Sequence, residues 1–231
     1  MKQILIVFLW MLSLRGLAQE THVIEPSILQ VRYEVTHEND KDIFALRCGK
    51  NVSQYFSVGK LRDDSLRASP DPTVSQIPLD EMMEEAMHRD DPSTRRPSSP
   101  CHSDYLYWNL SVGKVSVYTS VFGSKYVIEE ETPTMDWDIY EDSVQTIIGY
   151  ECHKAVTEFR GREWTVWYAD GIPLSLGPWK LNGLPGIILQ AECDGYMKMN
   201  ACGIITSDLT SSTSTNRIRG RELLLTAYYK L

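Results

Sequence analysis

Residues 179–192, WKLNGLPGIILQAE, constrain this chain more than any other stretch. Gly183-Leu184-Pro185-Gly186 reads as a turn: Pro185 presets φ at the first central position, and Gly186 supplies the positive φ that a type II turn needs at the next. Ile187, Ile188 and Leu189 follow at once. An apolar run bounded by a Pro-Gly turn and rich in β-branched residues predicts a strand buried on both faces or crossing the core. Upstream, Gly171, Pro173, Gly177 and Pro178 make the chain turn repeatedly before that strand begins. A Gly-rich phosphate cradle is the functional alternative. It needs a following helix with Lys and Ser/Thr in register, which this sequence lacks. Gly183, Leu184, Pro185, Gly186, Ile187 and Ile188 are therefore read as architecture.

The rest of the chain is strand-like. Residues 28–36 alternate, with Ile28, Val31, Tyr33 and Val35 as the inner face. Asn39-Asp40 turns into a second strand at 43–46, and Gly49-Lys50-Asn51 turns into a third at 52–58. Residues 61–104 are polar and Pro/Ser-rich except for 79–89, LDEMMEEAMHR, where Leu79, Met82, Met83 and Ala86 predict an amphipathic helix. Asp80 and Glu81 suit its positive end. Residues 90–104 lack the apolar content to order themselves. Strand character resumes at 105 as an antiparallel meander with turns at Gly113 and Gly123-Ser124. Further strands are expected at 137–140, 146–159, 163–168, 196–207 and 222–231, with Gly161 and Asp194-Gly195 as turns and 208–216 as a loop. The expected fold is mainly β: a single domain built on a curved antiparallel sheet or half-barrel, with a helix-bearing insertion.

Residues 1–18 carry Lys2, an apolar core from 4 to 14, and the small residues Gly16 and Ala18, which predicts a signal peptide cleaved before Gln19. The residue after the cut is not cysteine, so no lipid anchor is expected there. The mature domain, 19–231, is expected to be periplasmic or secreted and not an integral membrane protein. Loss of Lys2 and Arg15 leaves 21 basic against 31 acidic residues and takes the net charge from −8 to −10. That balance argues against nucleic acid as a partner, despite Arg217, Arg219 and Arg221 lying close together. Export allows disulfides among the 5 cysteines, Cys48, Cys101, Cys152, Cys193 and Cys202, with at least one thiol left over. Spacing does not choose the pairing.

The chain resembles the GLPGLI family of exported bacterial proteins through Gly183-Leu184-Pro185-Gly186-Ile187-Ile188, with Ile187 where the family motif has Leu. Flanking pieces fit the same pattern in the same order: SQYFS from Ser53, Trp137, IGYECHKA from Ile148, WTVWY from Trp164, and GPWK from Gly177. The resemblance implies an envelope protein without a defined activity, and a sheet similar to half-barrels that carry lipids or lipoproteins.

Two chemistries compete for the site. Cys101-His102 and Cys152-His153 offer thiols and imidazoles to a thiol- or zinc-dependent enzyme. Neighbours on a strand point to opposite faces, however, so Cys152 and His153 do not converge on one ion without a bulge. The three acids Glu129, Glu130 and Glu131 read as solvated strand residues. No nucleophile, base and orienting group stand in a recognisable pattern, so the expectation is a non-enzymatic protein with no cofactor or metal. Aromatic residues concentrate in the strands, and Trp164 and Trp167 are the candidate walls of an apolar groove for a lipid, lipoprotein or envelope partner.

Overall fold

The computed structural model describes residues 22–37, 40–67, 104–121, 124–206 and 224–227. In chain order these form β1 (His22–Pro26), β2 (Leu29–His37), β3 (Asp40–Cys48), β4 (Val52–Ser57), helix α1 (Val58–Arg67), β5 (Tyr105–Asn109), β6 (Lys114–Val121) and β7 (Ser124–Glu131). There follow β8 (Asp138–Ile147), β9 (Tyr150–Phe159), β10 (Arg162–Ala169), β11 (Ile187–Cys193), β12 (Met197–Thr206) and β13 (Leu224–Ala227). One antiparallel sheet of 11 strands runs β7-β6-β5-β4-β3-β2-β12-β11-β10-β9-β8, while β1 and β13 pair apart from it. The mainly β architecture expected from the alternation is what forms. The predicted leader (1–18), the 79–89 helix and Gly123 of the predicted Gly123-Ser124 turn lie outside the described residues, and Ser124 opens β7.

An ion pair shows that the sheet is curved. Glu130 on the edge strand β7 reaches Arg160, in the β9–β10 turn, at 2.9 Å. In a flat sheet the eight strand spacings from β7 to β10 would hold these strands roughly 38 Å apart. The sheet therefore curls until its two ends meet across a seam. No pairing between β7 and β8 closes it into a barrel.

Alternation places one residue set on the concave face. Cross-strand partners run Val35, Met199 and Ala191 to Val166 in one direction, and Tyr33, Phe44 and Ser57 in the other. Leu29, Val31, Tyr33, Leu46, Trp108, Val166 and Met199 are all buried there in one cluster. The convex face carries a smaller cluster of Ala45, Phe56, Tyr105 and Tyr107, against which Val58 and Leu61 of α1 pack.

The end of the concave core is filled by residues 170–186. Leu176, Leu181 and Leu184 are buried, and Leu176 bridges to Asn182. The Asn182 side chain donates to the carbonyls of Pro133 and Lys180, and the backbone carbonyl of Asn182 accepts from Trp137 Nε1 at 2.9 Å. Ile187, Ile188 and Leu189 are fully enclosed, so the strand predicted to be buried on both faces is so.

Four expectations need correction. Gly186 does not have positive φ; Gly183 does, at 95°. Glycine is required at 186 by close approach, since a Cβ there would collide with the Ala169 carbonyl and stand 2.7 Å from the Asp170 Cα. The run 146–159 is two strands, broken by Ile148 (φ 42°) and Gly149 (φ 88°), the two positive φ values of a type I′ hairpin. Arg160 (φ 53°) and Gly161 (φ 72°) repeat that geometry at the turn that was expected. Ile28 is 42% exposed, and Leu29 takes the inner position in phase with Val31, Tyr33 and Val35. Finally, the predicted third strand stops at Ser57, whose hydroxyl caps α1 by accepting from the Lys60 N–H at 3.2 Å.

Candidate functional site

Curling a sheet lined by side chains of unequal size leaves space on its concave face, here a cavity of about 350 Å³. Val35, Phe44, Tyr55, Leu106, Met197 and Met199 supply apolar walls from the middle of the sheet. Val117 and Ile128 come from one end, and Trp164 and Trp179 from the other. Because the walls come from strands far apart in the sheet order, the cavity exists only in the curled state.

Charged groups sit at its rim. The Lys180 ammonium, 8% exposed, pairs with Glu130, whose other oxygen takes the Arg160 guanidinium. A buried ammonium is tolerated only with such a partner. Arg160 also lies over the Phe159 and Trp179 rings, at 5.4 and 5.7 Å. Trp179 packs on Trp164 with ring centroids 5.7 Å apart and holds φ at 55°, a left-handed conformation costly for a bulky residue. The strained backbone sets its ring against the cavity wall. Asp104 lines the cavity too.

Of the two groove candidates, Trp164 lines the cavity and is 2% exposed. Trp167 does not line it: three positions along β10 it points to the convex side, opposite Lys154 and Gln190. Glu130, reading as one of three solvated acids, is instead an inward group, because it is directly opposite Val115 on the concave face. Arg160, Trp179 and Lys180 were not singled out as site residues from sequence. The one available signal was a lysine inside the otherwise apolar and turn-forming GPWKLNGLPG.

The thiols lie elsewhere. Cys152 and His153 do point to opposite faces: Cys152 is buried, and His153 shares a face with its cross-strand partner Tyr168, ring centroids 5.9 Å apart. His153 Nε2 stands 3.8 Å from Asp170. Burial pushes the Cys152 thiol up to about 11 and the Cys48 thiol up to about 12, which disfavours the nucleophilic thiolate. Cys101 and His102 lie outside the described residues. Cys48, Cys152, Cys193 and Cys202 are free, so the expected disulfide has no pair among the described residues. Among these residues no three His, Cys, Asp or Glu side chains gather as a metal site, and no helix is long and apolar enough to cross a membrane.

No family model matches the chain, and no curated protein matches it. Two solved structures of PNGF-II are similar in fold. The C2 form has TM-score 0.52 at 13% identity over 79% of this chain and 28% of that one. The P21 form has TM-score 0.52 at 13% identity over 80% and 29%. The chain thus spans less than a third of the proteins it resembles, and at this identity the likeness is one of fold.

Proposed function

We propose that this chain is an exported, non-enzymatic cell-envelope protein that holds an apolar or amphipathic ligand in the concave cavity of its curved sheet. The observation that carries the reading is the cavity of about 350 Å³, apolar along its walls and charged at one rim. Its volume falls within the range of small-molecule pockets, which combine apolar linings with a few placed polar groups. Met197 and Met199 suit an apolar guest of no fixed shape, because unbranched thioether side chains repack cheaply. The GLPGLI-like motif and the leader-like residues 1–18 support the envelope setting, and the excess of acidic residues favours a neutral or apolar guest over nucleic acid.

Native mass spectrometry of the purified chain tests the reading, together with titration of a fluorescent apolar probe and its displacement by fatty acids and lysolipids. The expected result is stoichiometric probe binding that Met199→Trp, which fills the cavity, abolishes. Absence of binding by every apolar probe, with stoichiometric zinc in protein purified without chelators, would favour the thiol or zinc enzyme instead.

A further inference from the structure

The charged side chains that line the cavity are Asp104, Glu130, Arg160 and Lys180, and they are not spread evenly. Arg160 and Lys180 share the single carboxylate of Glu130, one oxygen each, so this end carries one formal positive charge in excess. Asp104 stands apart from it. Tyr105 is opposite Tyr118, which sets Asp104 against Thr119, and Thr119 is opposite Tyr126 on β7. Tyr126 and Glu130 are four residues apart on that strand, roughly 13 Å at about 3.3 Å per residue. Asp104 therefore lies two strands across and four residues along from Glu130, and it makes no ion pair with either cation. The cavity is electrically polarised, with a cationic end at the seam and an acid at the other.

Lys180 is the demanding member of this group. Its side chain is 8% exposed, its ammonium has three N–H donors, and Glu130 is its ion-pair partner. The backbone around it is held in place: the Lys180 carbonyl accepts from Asn182 Nδ2 at 3.1 Å, and the preceding Trp179 is fixed in its left-handed conformation. The ammonium is thus kept at the cavity lining and out of bulk water, where a buried cation gains from every further acceptor it meets. Glu130 itself demonstrates the shape of such an acceptor, since one carboxylate reaches both cations at once.

We infer that the guest is a single-chain amphiphile with a monoanionic carboxylate head, which sits beside Glu130 on Lys180 and Arg160 while the tail follows the apolar walls. Asp104 sets the orientation by repelling the head from the other end. The inference rests on the reading that the cavity holds an apolar or amphipathic guest, and adds the charge of its head and the direction in which it lies. The net acidity of the whole chain opposes a polyanion, whereas a single enclosed head answers to the charges next to it, because salt screens the remainder beyond about 8 Å.

Dodecanoate, dodecanol and dodecyltrimethylammonium share one tail and differ in head charge. Titration calorimetry of the full chain with each, below micelle-forming concentrations and at neutral pH, should find dodecanoate tightest, dodecanol about tenfold weaker and the cation weaker still. Lys180→Met should bring dodecanoate down toward dodecanol. Glu130→Gln removes the like charge beside the head, so it should tighten dodecanoate, which should raise the melting temperature of this variant more than that of the unmodified chain. Equal binding of dodecanoate and dodecanol by the unmodified chain overturns the inference and leaves the apolar cavity standing, and this comparison needs no variant to fold. A preference for the cation, or weaker dodecanoate binding by folded Glu130→Gln, overturns it equally. Binding of none of the three overturns the cavity reading along with it.

Discussion

The Tyr33 hydroxyl, deep in the concave core, donates to the carbonyl oxygen of Ile188 at 2.7 Å, joining β2 to the strand that follows the GLPG turn, 155 residues away. Burial raises the Tyr33 pKa well above 10.0, so the donor proton stays in place across the neutral range. Tyr33→Phe keeps the ring and removes the donor. Loss of one partner of a buried hydrogen bond costs about 1–3 kcal/mol. Chemical denaturation of Tyr33→Phe should reveal a loss of that size, with the sheet's circular dichroism unchanged; an unaltered midpoint would mean that the bond adds nothing to stability.

The two glycines of the turn should respond differently to substitution. Gly183 needs its φ of 95°, and asparagine tolerates the left-handed region better than alanine does. Gly183→Asn should therefore be the milder change there. At Gly186 the obstacle is the Ala169 carbonyl, which meets any Cβ, so alanine, asparagine and valine should all lower the melting temperature sharply. A tolerated Gly186→Ala would refute the close-approach account.

Most of the sheet was legible in the sequence because one of its faces is buried. A period of two then survives in residues such as Val31, Tyr33 and Val35, and β11 announces itself by apolar residues on both faces. What was illegible depended on curvature. Alternation assigns Glu130 to a face but does not say that this face curls to meet Arg160 and Lys180, so the acid read as solvated. The phase slip between Trp164 and Trp167 has the opposite cause: a three-residue spacing excludes a shared strand face, and the local sequence clustering of aromatics obscured that. Helix α1 was missed because Gly59 and two consecutive aspartates depress its intrinsic propensity. Its support is tertiary, from Val58 and Leu61 on the convex cluster and the Tyr105 hydroxyl on Asp64 at 2.8 Å.

Trp164 and Trp167 offer a direct probe of where the ligand lies. A brominated fatty acid bound in the cavity should quench Trp164, which lines it, and leave Trp167 on the convex side little affected. Trp164→Phe should then remove much of the ligand-dependent quenching, whereas Trp167→Phe should preserve it. Phenylalanine rather than alanine limits the cavity that a lost indole would leave. Equal effects of the two replacements would argue for binding outside the concave face.

Alkaline pH should destabilise the fold before acid chemistry of any site residue becomes relevant. Burial raises Cys48 from 9.0 to about 12, against a weaker opposing hydrogen bond from Ser53, and raises Cys152 from 9.0 to about 11. Both folded thiols keep their protons where the unfolded chain loses them, so the stability these groups contribute is complete below pH 9.0 and declines as pH rises toward the folded values. The unfolded state binds fewer protons in that window, and each such group lowers stability by up to about 1.4 kcal/mol per pH unit. Tyr33 and Tyr55, both raised by burial from 10.0, add to the decline above that pH. Denaturation midpoints measured between pH 8 and about 11 should be flat at first and then fall. Cys48→Ala should be less stable at neutral pH but show a shallower fall. An identical slope in the variant would mean that Cys48 ionises alike in the folded and unfolded chains, and so is not enclosed in the core as its burial implies.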